Sequence, residues 1–239
     1  MVMQYARILN ELARPRLATY LAPLGYVQTK DSTKAHFLLN DISQHFYVPL
    51  QLIEIVLRNK INQHASQALK RDDWYDLLPA TKTSQDMVIE AKRLAGAEVT
   101  GRPITHDDIV CRLMFGFWAY MLDTPYRNTA DAQRFIWSQH DFKRVFDGAP
   151  AGVTIGIVML RLKNLNDLRN RLFHHEPIWR SPKAQSIDGA IDVLKHKYED
   201  MIEVLRWMSP DLHSLVQARS FPGRFALACD ATRFDRSLG

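Results

Sequence analysis

Arg169, Asn170, His174 and His175 fall within about two helical turns of one another in the segment LRNRLFHHEPIW, residues 168–179. A guanidinium beside imidazoles is equipment for cleaving RNA without a metal. RNA carries its own nucleophile: once a base removes the proton of a ribose 2′ hydroxyl, that oxygen attacks the adjacent phosphorus while an acid protonates the departing 5′ oxygen. An imidazole, with an intrinsic pKa of about 6.5, can serve at either end of that exchange near neutral pH. The phosphorane-like transition state gathers negative charge on its non-bridging oxygens. A guanidinium donating two hydrogen bonds matches that charge, and Arg169 is the candidate. One imidazole does not easily reach both ends of an in-line displacement, so two copies of the segment meeting across a twofold axis would complete the site. A homodimer is therefore the mechanistic expectation. The same residues also suit a solvated basic helix end or a satisfied polar network, and composition alone favours that plainer reading.

The helix that must present these residues is legible in its apolar stripe. Ile155, Val158, Leu162 and Leu165 step by three, four and three, and the stripe then lands on Arg169 and Leu172. An arginine on such a seam has to meet a carboxylate, lie at a subunit seam or point into a solvated pocket. Asn170 and His174 are four apart and share a face, whereas Arg169 and His174 are splayed by about 140° on an ideal helix. Pro177 forces the residue before it away from helical geometry, so the helix is predicted to stop near His175 with both histidines in its last turn. Glu176 offers a carboxylate to one of the motif arginines or to His175.

Elsewhere apolar residues recur at intervals of three and four, and alternating runs rich in Val, Ile and Thr are nearly absent, so an all-α chain is expected. Helices are predicted over 16–21, 32–46, 50–69, 105–122, 130–146, 152–175, 188–208 and 210–218, with Pro49 at or near the first turn of the third. Thr105 opens THDD, an N-cap with a carboxylate at the N3 position. The segment FPGRFALACD has too few apolar repeats to assign. Pro79 and the stretches 101–103, 147–152 and 177–182 read as turns between helices, so 1–239 is expected to form a single domain.

With 46% hydrophobic and 24% charged residues the chain has the composition of a globular protein, which argues against disorder. Its net charge of +5 suits a polyanionic partner without requiring one. Charges within the first fifteen positions interrupt any apolar run there, so neither a signal peptide nor a membrane helix is read, and a cytoplasmic protein with no membrane partner is expected. Cys111 and Cys229 lack a CxxC spacing, which argues against a disulfide scaffold or structural zinc, and no metal or other cofactor is expected. Cys111, beside Val110 and near Leu113, reads as core.

The segment RNRLFHHEP resembles the signature of the Abi-like (abortive infection) proteins of the HEPN superfamily: Arg, four to six residues, then His, often with Asn directly after the Arg. Arg169, Asn170 and His174 fit with four intervening residues. HHEPIW, FGFW at 115–118, WYD at 74–76 and IEIVLRNKINQH at 53–64 occur in an order similar to that of Abi-like proteins. The landmarks all fall between Ser32 and Ala218. The resemblance implies a HEPN-type helical bundle with additional helices, dimerising through its motif helices and acting as a metal-independent endoribonuclease. Such proteins serve as toxins or antiviral effectors, and control by an antitoxin or an inhibitory RNA is an expectation that goes with that setting. Carried over, Arg169 would hold the scissile phosphate, His174 would be the acid or base, and Asn170 would orient the site or bond the phosphate. Arg171 and His175 would contact RNA.

An upstream echo, LRNKINQH at 57–64, places five residues between Arg58 and His64. Two readings stand. Glu54 lies four residues before Arg58, which suits a surface ion pair worth roughly a few tenths of a kcal/mol; alternatively Arg58 and His64 line the same RNA cleft as Arg169 and His174. Of the aromatic residues, Phe115, Phe117, Trp118 and Tyr120 read as core, and Trp179, beside Arg180, is the candidate platform for an unpaired base. Lys92, Arg93, Lys143, Arg144, Lys195 and Lys197 are interspersed with acids and read as solvated faces. Beside the ribonuclease stand two other classes: a module that binds RNA or protein without chemistry in a defence or toxin–antitoxin system, and a structural dimer whose polar motif satisfies its interface.

Overall fold

The structure is a computed structural model that describes residues 7, 11–12, 14–26, 29–78, 82–127, 137 and 141–233. Among the described residues the secondary structure is helical, and extended pairing is limited to an isolated bridge between Arg127 and Trp137. The all-α class is thus the one the chain adopts. Its described helices are α1 (Arg14–Leu21), α2 (Thr29–Ser43), α3 (Tyr47–Leu69), α4 (Lys82–Glu98), α5 (His106–Val110), α6 (Phe115–Tyr120), α7 (Phe142–Val145), α8 (Ile155–Phe173), α9 (Ile187–Met208), α10 (Pro210–Ala218) and α11 (Phe221–Ala228). Short 3-10 turns occupy Gln44–Phe46, Trp74–Leu77 and Thr124–Tyr126. Most of the helix expected over 130–146 lies outside the described residues, apart from α7. No described helix is long and apolar enough to cross a membrane.

Four departures from the sequence reading have local causes. The helix expected over 105–122 is two, because carbonyls that would continue it are taken elsewhere. The Asp108 carbonyl accepts from the Arg112 guanidinium, and the Leu113 carbonyl accepts from the Trp118 indole at 3.1 Å. The start of α5 is as expected, with Thr105 and Asp108 closing a reciprocal capping box. Cys111, expected in the core, follows the end of α5 and is exposed. Helix α4 has a weak local signature, because its buried positions include Ala91 and Ala95 beside Val88, a small-chained stripe. The unassigned FPGRFALACD forms α11, which starts with proline in its first turn and buries Phe225 and Ala228.

Packing divides the chain into two units: Met1–Pro49, Leu168–Ile202 and Ser214–Gly239 form the first, and Leu50–Asp167 with Glu203–His213 the second. The first is organised by aromatic contacts. Tyr198 stacks on Phe225 with ring centroids 3.8 Å apart, Phe46 meets both edge-on at 5.4 and 5.7 Å, and Leu17, Leu39, Ile42 and Leu194 are also buried in this unit. A fully buried Leu, Ile or Phe contributes about 1.5–3 kcal/mol, so burial of Leu17 and of Phe225 gives the short helices α1 and α11 an anchor each. In the second unit α3 buries Ile53, Leu57, Ile61 and Ala65 at intervals of four, and α8 buries Val158, Leu162 and Leu165. Trp74, Phe117 and Trp118 fill the space between further elements of that unit, and the Trp74 indole donates to Asn62 Oδ1 at 2.8 Å.

Candidate functional site

Burial along α8 falls away as the motif begins. Leu165 and Leu168 are buried, Arg169, Asn170, Arg171 and Leu172 are half-buried, and Phe173, His174, His175 and Glu176 are exposed. Arg169 continues the apolar stripe and is half-buried, and two residues of its own helix contact its guanidinium. Its guanidinium lies 4.8 Å from the centre of the Phe173 ring, one turn on, and its Nη1 donates to Asn170 Oδ1 at 3.3 Å. A cation over an exposed ring is worth about 0.5–1 kcal/mol, enough to bias the long side chain toward the helix end.

The helix then closes in a tight turn. The His174 amide still donates to the Asn170 carbonyl at 2.9 Å, but the His175 amide donates to Leu172 at 3.1 Å and the Glu176 amide reaches back to Arg171 at 2.8 Å. This pair of bonds is a Schellman turn, with His175 at its left-handed position, φ 58°. Glycine is the usual occupant there, because a β-carbon costs roughly 1–2 kcal/mol in that conformation. Pro177 follows, as the early stop required.

Further cations bear on residues 169–178. Arg171 Nε pairs with Glu176 at 3.6 Å, the carboxylate foreseen for a motif arginine. Arg16 of α1 donates from Nη1 to the His175 carbonyl at 3.2 Å. Lys197 of α9 donates to the Ile178 carbonyl at 2.6 Å; burial lowers its pKa, and the nearby Arg171 charge lowers it further. Lys197 is thus not the fully solvated lysine expected, unlike Lys92, Arg93, Arg144 and Lys195, which pair on the surface with Asp76, Glu90, Asp141 and Asp192. The result is a predominantly cationic corner with two open imidazoles, in which arginines can bind phosphate and histidines can exchange protons.

Other expected residues are engaged in packing or in bonds of their own. Trp179 cannot be a base platform: it is 1% exposed, packed against the Tyr20 ring at 5.3 Å. The exposed rings at the motif are Phe173 and Tyr47, with centroids 5.6 Å apart. Phe173 was visible in the motif itself, four residues after Arg169; nothing local marks Tyr47 or Arg16, which folding brings to this place. Arg58 and His64 belong to the second unit, whereas Arg169 to Glu176 belong to the first. Because α3 runs on to Leu69, His64 sits mid-helix next to the buried stripe, where it is itself buried and stacks on Trp137 at 4.9 Å. Its expected RNA contact gives way to packing. Arg58, half-buried, turns its Nε to Asn59 Oδ1 at 3.3 Å.

Searches for similar proteins among protein-family models, curated proteins and solved structures found no match.

Proposed function

We propose that this chain is a metal-independent endoribonuclease of the Abi-like HEPN type, cutting single-stranded RNA in the cytoplasm as an abortive-infection or toxin-type antiviral effector. The observation that carries the reading is the order of burial along one helix end: a half-buried Arg169, steered by Phe173 and Asn170, followed one turn later by an exposed His174. Arg169 binds the non-bridging oxygens of the scissile phosphate, where its charge is worth most as negative charge accumulates. His174 exchanges the proton of the 2′ hydroxyl or of the leaving 5′ oxygen. Asn170 holds the guanidinium and can bond the phosphate. Arg171 and His175 contact the flanking chain. A second copy, paired through the motif helices, supplies the imidazole for the opposite end of the displacement. An antitoxin or inhibitory RNA would restrain the activity in the host.

The test is incubation of the purified protein with several labelled single-stranded RNAs in excess EDTA, beside Arg169→Ala and His174→Ala. The wild type should cleave, and each variant should lose about a hundredfold or more in rate. Absence of cleavage by the wild type across all RNAs removes the proposal, and cleavage that survives both substitutions relocates the site. Salt-dependent RNA binding that weakens in Arg169→Ala or Arg171→Ala, with no cleavage, would make the protein a binding module instead.

A further inference from the structure

The exposed aromatic residues beside the motif form a surface of their own. From α2 through the 3-10 turn into α3 the backbone stays helical, with Ser43 and Tyr47 both in the right-handed region. Phe37, Asn40, Gln44 and Tyr47 therefore share one face, at steps of three, four and three, and all four are exposed. Phe37 is 52% and Tyr47 49% exposed, where the buried positions of the same stretch, Leu38, Leu39, Ile42 and Phe46, are at most 4%. The lane ends at Phe173, 45% exposed, whose ring touches Tyr47 and carries the Arg169 guanidinium.

We propose that this lane is a binding subsite for unpaired nucleobases, with Tyr47 and Phe173 as its stacking platform and the Asn40 and Gln44 amides, whose nitrogens bond the His36 ring and Asp41, turning their oxygens to base edges. The proposal rests on the ribonucleolytic reading above and adds what lies beyond the scissile phosphate. Charge complementarity selects the occupant. Arg169, Arg171 and Arg16 bear on the motif end of the lane, so what lies on it must combine flat apolar faces with negative charge, which is the makeup of single-stranded RNA. Aromatic faces accept any base, while a paired duplex keeps its faces stacked internally. The site therefore favours single strands over duplexes.

The experiment uses the full chain and 2′-O-methyl oligoadenylate, which lacks the free nucleophile and stays intact, beside an abasic oligomer of equal length. Fluorescence anisotropy at fixed salt reads both affinities. The wild type should prefer the strand with bases by roughly tenfold or more. Tyr47→Leu with Phe173→Leu should erase that preference, read as the ratio of the two affinities, and Tyr47→Phe with Phe173→Tyr should keep it. Equal wild-type affinity for the two strands overturns the subsite and leaves the nuclease reading standing. So does a preference that survives the leucine pair. Loss of self-association in the leucine pair, by analytical ultracentrifugation, with base preference intact, would assign the lane to contact between two copies and overturn the proposal. Failure of the wild type to bind either strand removes the ribonucleolytic reading together with it.

Discussion

His175 illustrates how much a single backbone angle says about the motif. Its φ of 58° is a conformation in which glycine would be more stable, yet the chain places an imidazole there, exposed, with its carbonyl held by Arg16. Two other described helix ends, at Lys70 and Ser220, share the same geometry, so the turn alone is not a functional mark. What distinguishes His175 is the company of His174 and the arginines. His175→Gly should raise stability by about 1 kcal/mol in urea denaturation, because the left-handed strain is relieved, and should weaken RNA binding through loss of the imidazole. Opposite signs for stability and binding are the usual trade at a functional position. A variant that is no more stable would show that the turn carries no strain, and one that binds RNA undiminished would take His175 out of the site. Pro177 made the helix end legible in the sequence; the left-handed turn is a three-dimensional solution that LFHHEP does not spell out.

Among the elements, α8 and α9 were readable because long stripes of Leu, Ile and Val repeat over several turns. Continuity was harder to read than existence. The run from His106 to Leu122 is apolar throughout, and its break depends on the Arg112 and Trp118 side chains finding backbone carbonyls, a choice made only in three dimensions. Gly148 makes a similar point in the turn after α7. Its amide donates to the Trp207 carbonyl at 2.9 Å, and a β-carbon there would run into the Arg206 carbonyl and touch Pro210. Gly148→Ala should therefore cost about 1–3 kcal/mol in urea denaturation, since the obstacle is backbone that cannot swing aside. An unchanged midpoint would mean that the turn and the end of α9 separate more readily than their hydrogen bond implies.

At the scale of the whole molecule, pH acts through histidines outside the motif segment. His36, His45 and His213 all have lowered pKa values, in each case chiefly because burial disfavours the charged ring. Arg16 adds to the effect at His36 and Arg206 at His213; at His45, Arg224 and Arg233 add to it, and Asp41 opposes it. A histidine whose folded pKa lies below its unfolded value of about 6.5 leaves the unfolded state binding more protons as the solution is acidified. These groups therefore stabilise the fold fully above pH 6.5, and that stability is lost as pH falls through their folded values. The melting temperature should be lower at pH 5 than at pH 7.5, and His36→Gln should shrink the difference. A variant with the wild-type profile would free His36 of that role.

Helical class, the apolar stripe that leads to Arg169, and the stop before Pro177 all follow from residue spacing, because a helix repeats over a few residues and its periodicity is written locally. The grouping of LRN with a histidine also marked both 57–64 and 168–175, but spacing could not tell a buried histidine from an open one. Folding made that distinction: α3 continues past His64 and packs it on Trp137, whereas α8 ends at Phe173 and leaves His174 in solvent. It likewise buried Trp179, exposed Cys111, and brought Tyr47 and Arg16 to the motif from more than a hundred residues away. Which side of a helix finds a partner depends on contacts between distant segments, and such contacts have no local spacing to read.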